Sequence, residues 1–317
     1  MTTSGNLRSA VAQLKPVDEA PPFTLGQLTW RRFRRHRMAI FGLVVLLLLF
    51  TYSFGGGLIV PEKYANHTDT RLRLNPPSLV HPFGTDTVGR DILARTLYGG
   101  QISILIGLTA ALVETLVGIL IGSMAGYFGG IIDSITMRFT EMMLNIPAIF
   151  LLILMSKFFG GKIPDMEILG RTYSGSVVVI ILIIGLTSWP YLARIVRAEF
   201  LSIKENEFVL AARATGTSTG DIIFRHILPN SIAPIIVAAT LGVANAITLE
   251  AYISFLGLGV RPPTATWGNM LEGAYNYIES AYWLWLFPGL LIVLTVLSTN
   301  FLGDGLRDAL DPHSRTV

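Results

Sequence analysis

Apolar positions in this chain gather into long unbroken runs, with polar residues confined to the segments between them. A bilayer's hydrocarbon core is about 30 Å thick and takes roughly 17–25 apolar residues of helix to cross. Six runs reach that length, at about 38–60, 102–128, 135–158, 177–193, 232–256 and 282–302. Within lipid a helix satisfies all its own backbone hydrogen bonds, so the pattern predicts an all-α membrane protein with six transmembrane helices. The first run is too long and starts too late for a cleavable signal peptide, and no A-x-A site follows it.

Composition agrees and removes alternatives. Of 317 residues, 51% are hydrophobic and 14% charged, against about 25% charged in ordinary soluble domains. Disorder, collagen-like fibres and a disulfide scaffold are excluded, the last because there is no cysteine. The net charge of +3 is too small to imply a nucleic-acid partner. Its placement is more informative. Arg31, Arg32, Arg34, Arg35 and Arg37 directly precede the first run, which puts the N-terminus on the cytoplasmic side. Six crossings return the C-terminus to that side, with 15 Lys and Arg inside and 9 outside.

The chain then divides into a cytoplasmic tail with an interfacial basic segment (1–37), a first transmembrane helix (38–60) and an external segment (61–100). A five-helix core follows (101–302), holding a cytoplasmic loop at 201–230, and a cytoplasmic tail ends it (303–317). The tail carries Pro16, Pro21 and Pro22, and 25–36 predicts a short helix on the inner membrane surface with Trp30 and Phe33 toward lipid.

Within the runs, Gly118, Gly122, Gly126 and Gly130 recur every four residues, a smooth helix face for close packing within the subunit or against a partner. Glu114, Asp133, Arg138, Glu141 and Glu250 are the ionisable residues in or near the runs; Glu114 and Glu250 are the deepest. Either lines a water-filled path or is a buried carboxylate bonded to its surroundings. Pro147, Pro190, Pro234 and Pro288 each remove a helix hydrogen bond and predict bends. The external residues Asp86, Arg90, Asp91 and Arg95 either pair internally or contact another protein, and Pro262, Pro263 and 267–269 predict a fixed turn near the outer mouth.

Chemistry is scarce. There is no G-x-x-x-x-G-K-[ST] loop, since Gly160-Gly161-Lys162 continues with Ile163, and so no site for hydrolysing ATP. No H-E-x-x-H occurs, and His36, His67, His81, His226 and His313 are scattered. Neither a metal site nor a catalytic residue is expected.

The loop 201–230 holds the strongest local signals. Ser202 and Glu205 have capping-box spacing, predicting a helix from about Ile203 with Phe208, Ala211, Ala212 and Thr215 on one face. Gly216 should end it in the left-handed conformation, and Ser218 with Asp221 should cap a second helix over about 219–225. Glu207, Thr217, Leu228 and Pro229 flank this projecting corner. Small residues at such a corner suit insertion into a groove on another protein; the alternative is an amphipathic helix touching lipid alone.

The sequence A-A-x-x-x-G at 211–216 followed by Leu228-Pro229 resembles the EAA loop of ABC importer permeases. Leu210 stands where that motif has its glutamate, and His226 where I-x-L-P has isoleucine. The stretches 81–107, 253–271 and 302–312 resemble the C-type permease of dipeptide, oligopeptide and nickel importers, and the likeness covers nearly all the chain from about Leu25. The resemblance implies a type I importer permease fold and a coupling helix in 201–230. It also implies a homologous B-type permease, two ATP-binding subunits carrying ATP and Mg, and an external solute-binding protein. No cofactor would be bound by this chain, and the location would be a bacterial or archaeal cytoplasmic membrane. A stand-alone channel or ion-driven carrier would need no projecting corner, and an intramembrane enzyme would need catalytic groupings that are missing.

Overall fold

The computed structural model describes residues 25–168 and 171–311; the expected tail 1–24, with Pro16, Pro21 and Pro22, and 312–317, with His313, lie outside them. A short basic helix α1 (Leu25–Arg35) leads into α2 (Arg37–Ile59), which His36 caps by accepting the Ala39 N–H at 3.0 Å and which contains one π turn at Thr51–Gly55. Then come α3 (Ile92–Phe128), α4 (Gly130–Asn145), α5 (Ala148–Phe159), a hairpin of β1 (Met166–Ile168) and β2 (Arg171–Tyr173), and α6 (Gly175–Ile203). A short helix α7 (Glu207–Ala214) and the helical run α8 (219–230) precede α9 (Ile232–Phe255) and α10 (Trp283–Leu310).

Five of these helices are long and apolar enough to cross a membrane: α2, α3, α6, α9 and α10. The third apolar run, expected as one helix with a bend at Pro147, is the pair α4 and α5, bent by 89° at Ile146-Pro147. The reason is local. Proline has no N–H to donate and pushes the preceding residue out of the helical region, and Ile146 is extended. The pair is still one crossing. It begins at Gly130, beside the inner end of α3, where Lys204 donates to the Gly126 carbonyl at 3.1 Å. It ends at the external loops, where Ser156 donates to the Leu258 carbonyl. Six crossings follow, as expected.

Of the four prolines expected to bend helices, Pro147 alone stands at a break. Pro190 and Pro288 lie inside α6 and α10, and Pro234 sits in the first turn of α9, where no N–H is required.

Helix ends also differ from the apolar runs. Helix α3 starts ten residues before its run because Asp91 accepts the Ala94 N–H at 2.8 Å and Ile92, Ala94, Arg95 and Thr96 are buried. At 37 residues it is about 55 Å long and projects beyond the hydrocarbon. Helix α6 runs on past its apolar run because Val196, Phe200 and Ile203 remain buried on the protein side. Helix α10 continues to Leu310, so residues 303–310, expected as tail, are helical and bury Gly303, Gly305 and Ala309. The hairpin and the turn of helix at Glu62–Ala65 were not expected; three-residue strands leave little periodic signal.

The core lies where α3, α6 and α9 meet, around Ile102, Ile106, Ile180, Ile184, Ala246 and Ile253. The glycine face of α3 is what permits this approach. A Cβ on Gly122 would lie 2.5 Å from the Ala193 carbonyl oxygen, and one on Gly126 2.8 Å from that of Arg197. Gly118 abuts Leu192 in the same way. The stripe therefore packs α3 on α6 within the subunit, and Gly130, which faces no neighbour within 4 Å, is not part of it.

On the outer side the loop 256–282 is pinned by Trp267. Its ring N–H donates to the Thr96 carbonyl at 2.9 Å and its backbone N–H to Ser103 Oγ at 3.1 Å. It is wholly buried, so Trp267→Ala should cost about 3–5 kcal/mol, read as a lowered thermal unfolding midpoint of the purified protein in detergent; an unchanged midpoint would contradict this packing.

The candidate coupling surface and the groove at the helix break

The corner at 207–230 is built differently at its start than the capping-box spacing suggests. Ser202 lies inside α6 and Lys204 ends that helix, so no box forms with Glu205. A new helix begins instead at Glu207 after Asn206, with Glu207 an acidic residue favourably placed in the first turn. Ala212 is half-buried, while Phe208, Ala211 and Thr215 are exposed, so the face predicted from spacing looks largely outward.

The end of α7 forms as expected. Gly216 has φ of +79°, Thr217 N–H donates to the Ala212 carbonyl, and Gly216 N–H donates to that of Arg213, both at 3.1 Å. Those two bonds make a Schellman closure, which satisfies carbonyls a helix end would otherwise leave open. Ser218 then caps α8: it accepts the Asp221 N–H at 3.1 Å and donates to the Asp221 carboxylate at 2.8 Å. The second helix is longer than 219–225. It passes through a π turn at Ile222–Ile227 and continues with Leu228 and Pro229 to Asn230.

What fixes the corner to the bundle was not legible from spacing. Val209 is fully buried in a cluster with Leu192, Val196 and Phe200 of α6, Ile222 and Ile227 of α8 and Ile235 of α9. Leu228 packs against the same cluster. The Arg213 guanidinium lies 5.9 Å from the Tyr127 ring centre at the end of α3. Asp133 on α4 takes both arms of Arg197 on α6, the Nη2 contact at 2.6 Å. The corner is thus joined to α3, α6 and α9, and α6 beside it to α4.

Its outer surface carries exposed apolar side chains. Phe208 is 42% exposed, Leu210 44%, and Phe224 68%. Phe224 was missed because the π turn shifts the face expected of a regular helix.

The other expected positions separate. Glu250 is buried and held by Ser254 Oγ at 2.7 Å and Ser103 Oγ at 3.3 Å, so it braces α9 against α3 and the outer loop. Asp86, Arg90, Asp91 and Arg95 are drawn into internal contacts. Arg90 Nε donates to Asp86 at 2.6 Å, Arg95 Nε lies 4.0 Å from the same carboxylate, and Asp91 caps α3 while meeting His81 Nδ1 at 2.8 Å. Glu114 is different. It opens on a groove of about 480 Å³ at the α4–α5 break, walled by α6 and α9, and its Oε2 is buried with no hydrogen-bond partner among the described residues.

Comparison with known proteins fits this architecture. The family described as "Binding-protein-dependent transport system inner membrane component" matches residues 118–316. That described as "N-terminal TM domain of oligopeptide transport permease C" matches residues 24–77. The chain is 42% identical over 294 residues to the oligopeptide transport system permease protein OppC of Escherichia coli (strain K12), covering 92% of each. It is 40% identical over 296 residues to the dipeptide transport system permease protein DppC of Bacillus subtilis (strain 168), covering 93% of this chain and 88% of that one. A solved inward-facing structure of the MetNI methionine ABC transporter shares the fold, with a TM-score of 0.52 at 20% identity over 67% of this chain and 94% of the other. The chain therefore belongs to the binding-protein-dependent transport system inner membrane components, as a multi-pass permease of the ABC importer type with the N-terminal segment of the C-type oligopeptide permeases.

Proposed function

We propose that this chain forms half of the translocation path of an ATP-driven importer for dipeptides or oligopeptides in the cytoplasmic membrane of a bacterium or archaeon. The observation that carries the coupling is the exposed apolar corner around Phe208, Ala211 and Gly216, anchored through Val209 and tied to α3, α6 and α9. Peptide as cargo is supported by the names of the relatives.

In this reading a homologous B-type permease completes the path, and two ATP-binding subunits carry ATP and Mg and receive the α7 corner. An external solute-binding protein delivers cargo to the outer loops. The permease binds no cofactor and contacts no nucleic acid. Closure of the ATPases on ATP displaces the corner as a rigid body and biases the bundle between inward-facing and outward-facing states. Such a bias requires that ATP and cargo each bind one state better than the other.

The test is co-expression with the partner subunits, purification, and ATP-dependent uptake into proteoliposomes of labelled dipeptides, longer peptides and nickel complexes. Co-purification of the ATPases with uptake of peptides is expected. A permease that moves solute without an ATPase, or a complex that moves no peptide, would contradict the reading.

A further inference from the structure

We propose that Glu114 is the cation subsite of the translocation groove and takes the ammonium group of a peptide's amino end. The inference rests on the peptide-importer reading above. Glu114 lies on α3, fourteen residues or about 21 Å of helix before its inner end, well inside a hydrocarbon layer about 30 Å thick. It is 5% exposed, and its Oε2 has no hydrogen-bond partner among the described residues. An unpaired carboxylate at that depth is costly unless an opposite charge reaches it.

The surroundings define what that charge can be. The groove is walled mainly by apolar side chains such as Leu151 and Leu249, with Thr187, Ser188, Tyr191 and Asn245 adding polar atoms, and its lining contains no lysine, arginine or histidine. Its charge is therefore that of Glu114 alone, complementary to a cationic head on an apolar body. A hard divalent ion takes about six oxygen ligands and is commonly held by more than one carboxylate, whereas this groove offers one carboxylate for a single positive charge. A primary ammonium has three N–H donors; Glu114 supplies the charged acceptor, and Thr187, Ser188 and Asn245 of the same groove carry further oxygen acceptors. A peptide's carboxylate end finds no counter-charge here, so the subsite selects the amino end.

Gly242 on α9 belongs to the same device. A Cβ there would lie 3.2 Å from Glu114 Oε2, so glycine leaves the room that lets the carboxylate rest against α9.

The test uses the assembled transporter in nanodiscs without its binding protein, and two probes that lack a free carboxylate: trialanine amide and N-acetyl-trialanine amide. The first carries the ammonium and the second does not. Wild type should bind trialanine amide more tightly than its acetylated form. Glu114→Gln should weaken the first by at least about tenfold and leave the second unchanged. Gly242→Ala, which keeps the charge but crowds it, should weaken the first by a smaller factor and serves if the Glu114→Gln chain itself fails to fold or insert. Equal affinity for the two probes, no binding of either, or no effect of the variants would overturn the subsite. So would loss of the B-type permease from the Glu114→Gln complex, since that outcome assigns the carboxylate to a partner's cation. Failure of the peptide reading itself is read separately, as absence of ATP-driven peptide uptake by the wild-type complex with its binding protein present.

Discussion

Replacing Gly216 with valine is expected to lower ATP-driven uptake by up to about 5- to 30-fold while leaving the permease inserted and folded. The residue sits at φ of +79° at the bend between α7 and α8. A β-branched residue in the left-handed region costs about 1–2 kcal/mol, and such a cost shifts the population of a correctly closed corner by about 5- to 30-fold. Beyond its two neighbours in sequence, no atom of the described residues lies within 4 Å of where the new Cβ would stand, so the packing around the bend has no clash to relieve. The cost falls on the Schellman closure and on whatever occupies the space outside it. Asparagine visits the left-handed region readily, so Gly216→Asn should retain most uptake. Comparing membrane level, ATPase co-purification and uptake for the two variants checks this. Equal uptake by Gly216→Val and wild type would remove the bend from the coupling mechanism.

Gly122→Leu is expected to have the largest effect on the fold. The Cβ would approach the Ala193 carbonyl oxygen to 2.5 Å and Val196 Cβ to 2.7 Å. Both belong to the facing helix α6, so α3 and α6 must separate. Overpacking of this kind costs about 1–3 kcal/mol and occasionally more. Because α6 also carries Arg197 and Phe200, which hold α4 and the corner, a shifted α6 should lower ATPase association as well as thermal stability. Gly289→Ala is the matched control. Gly289 lies on α10 with nothing within 4 Å of a new Cβ, so its effect should stay within about 0.5 kcal/mol. Equal stability of the two variants, measured by thermal unfolding in detergent, would mean that α3 and α6 do not meet as described.

These two glycines also mark what could be read from the chain and what could not. Both were legible, Gly216 through the capping signals around it and Gly122 through its four-residue repeat. The six crossings were legible because hydrocarbon thickness imposes a minimum apolar length. Helix ends were not, since beyond the hydrocarbon a helix can be polar and remain helical if one face is buried. Arg95 at the start of α3 and Phe200 near the end of α6 do this. The break at Pro147 was flagged as a bend, but its size depends on the packing of α4 and α5 and on contacts such as that of Ser156 with Leu258, 102 residues away.

The coupling corner was legible in outline and illegible in its anchoring. Spacing alone could place Ala211, Ala212 and Gly216 on a projecting turn. It could not show that Val209 is the buried contact, because one valine among alanines has no periodic signature. The Asp133–Arg197 pair joins residues 64 apart in sequence, and nothing local to either names its partner. Glu114 and Glu250 looked alike as deep carboxylates. Only three-dimensional contacts separate the carboxylate held by Ser103 and Ser254 from the one that faces the groove at the α4–α5 break.

The central claim is that the α7 corner is the surface on which the ATPase acts. The chain has no cysteine, so a single introduced thiol is the only one on this subunit, and the assembled transporter without it is the control for thiols on the others. With Ala211→Cys in the assembled transporter and a short bifunctional thiol–amine cross-linker, the account predicts a covalent product with an ATP-binding subunit whose yield changes on adding ATP. The exposed external residue Leu79, replaced by cysteine, should give no such product. No ATPase cross-link from position 211, or an equal yield from position 79, would contradict it.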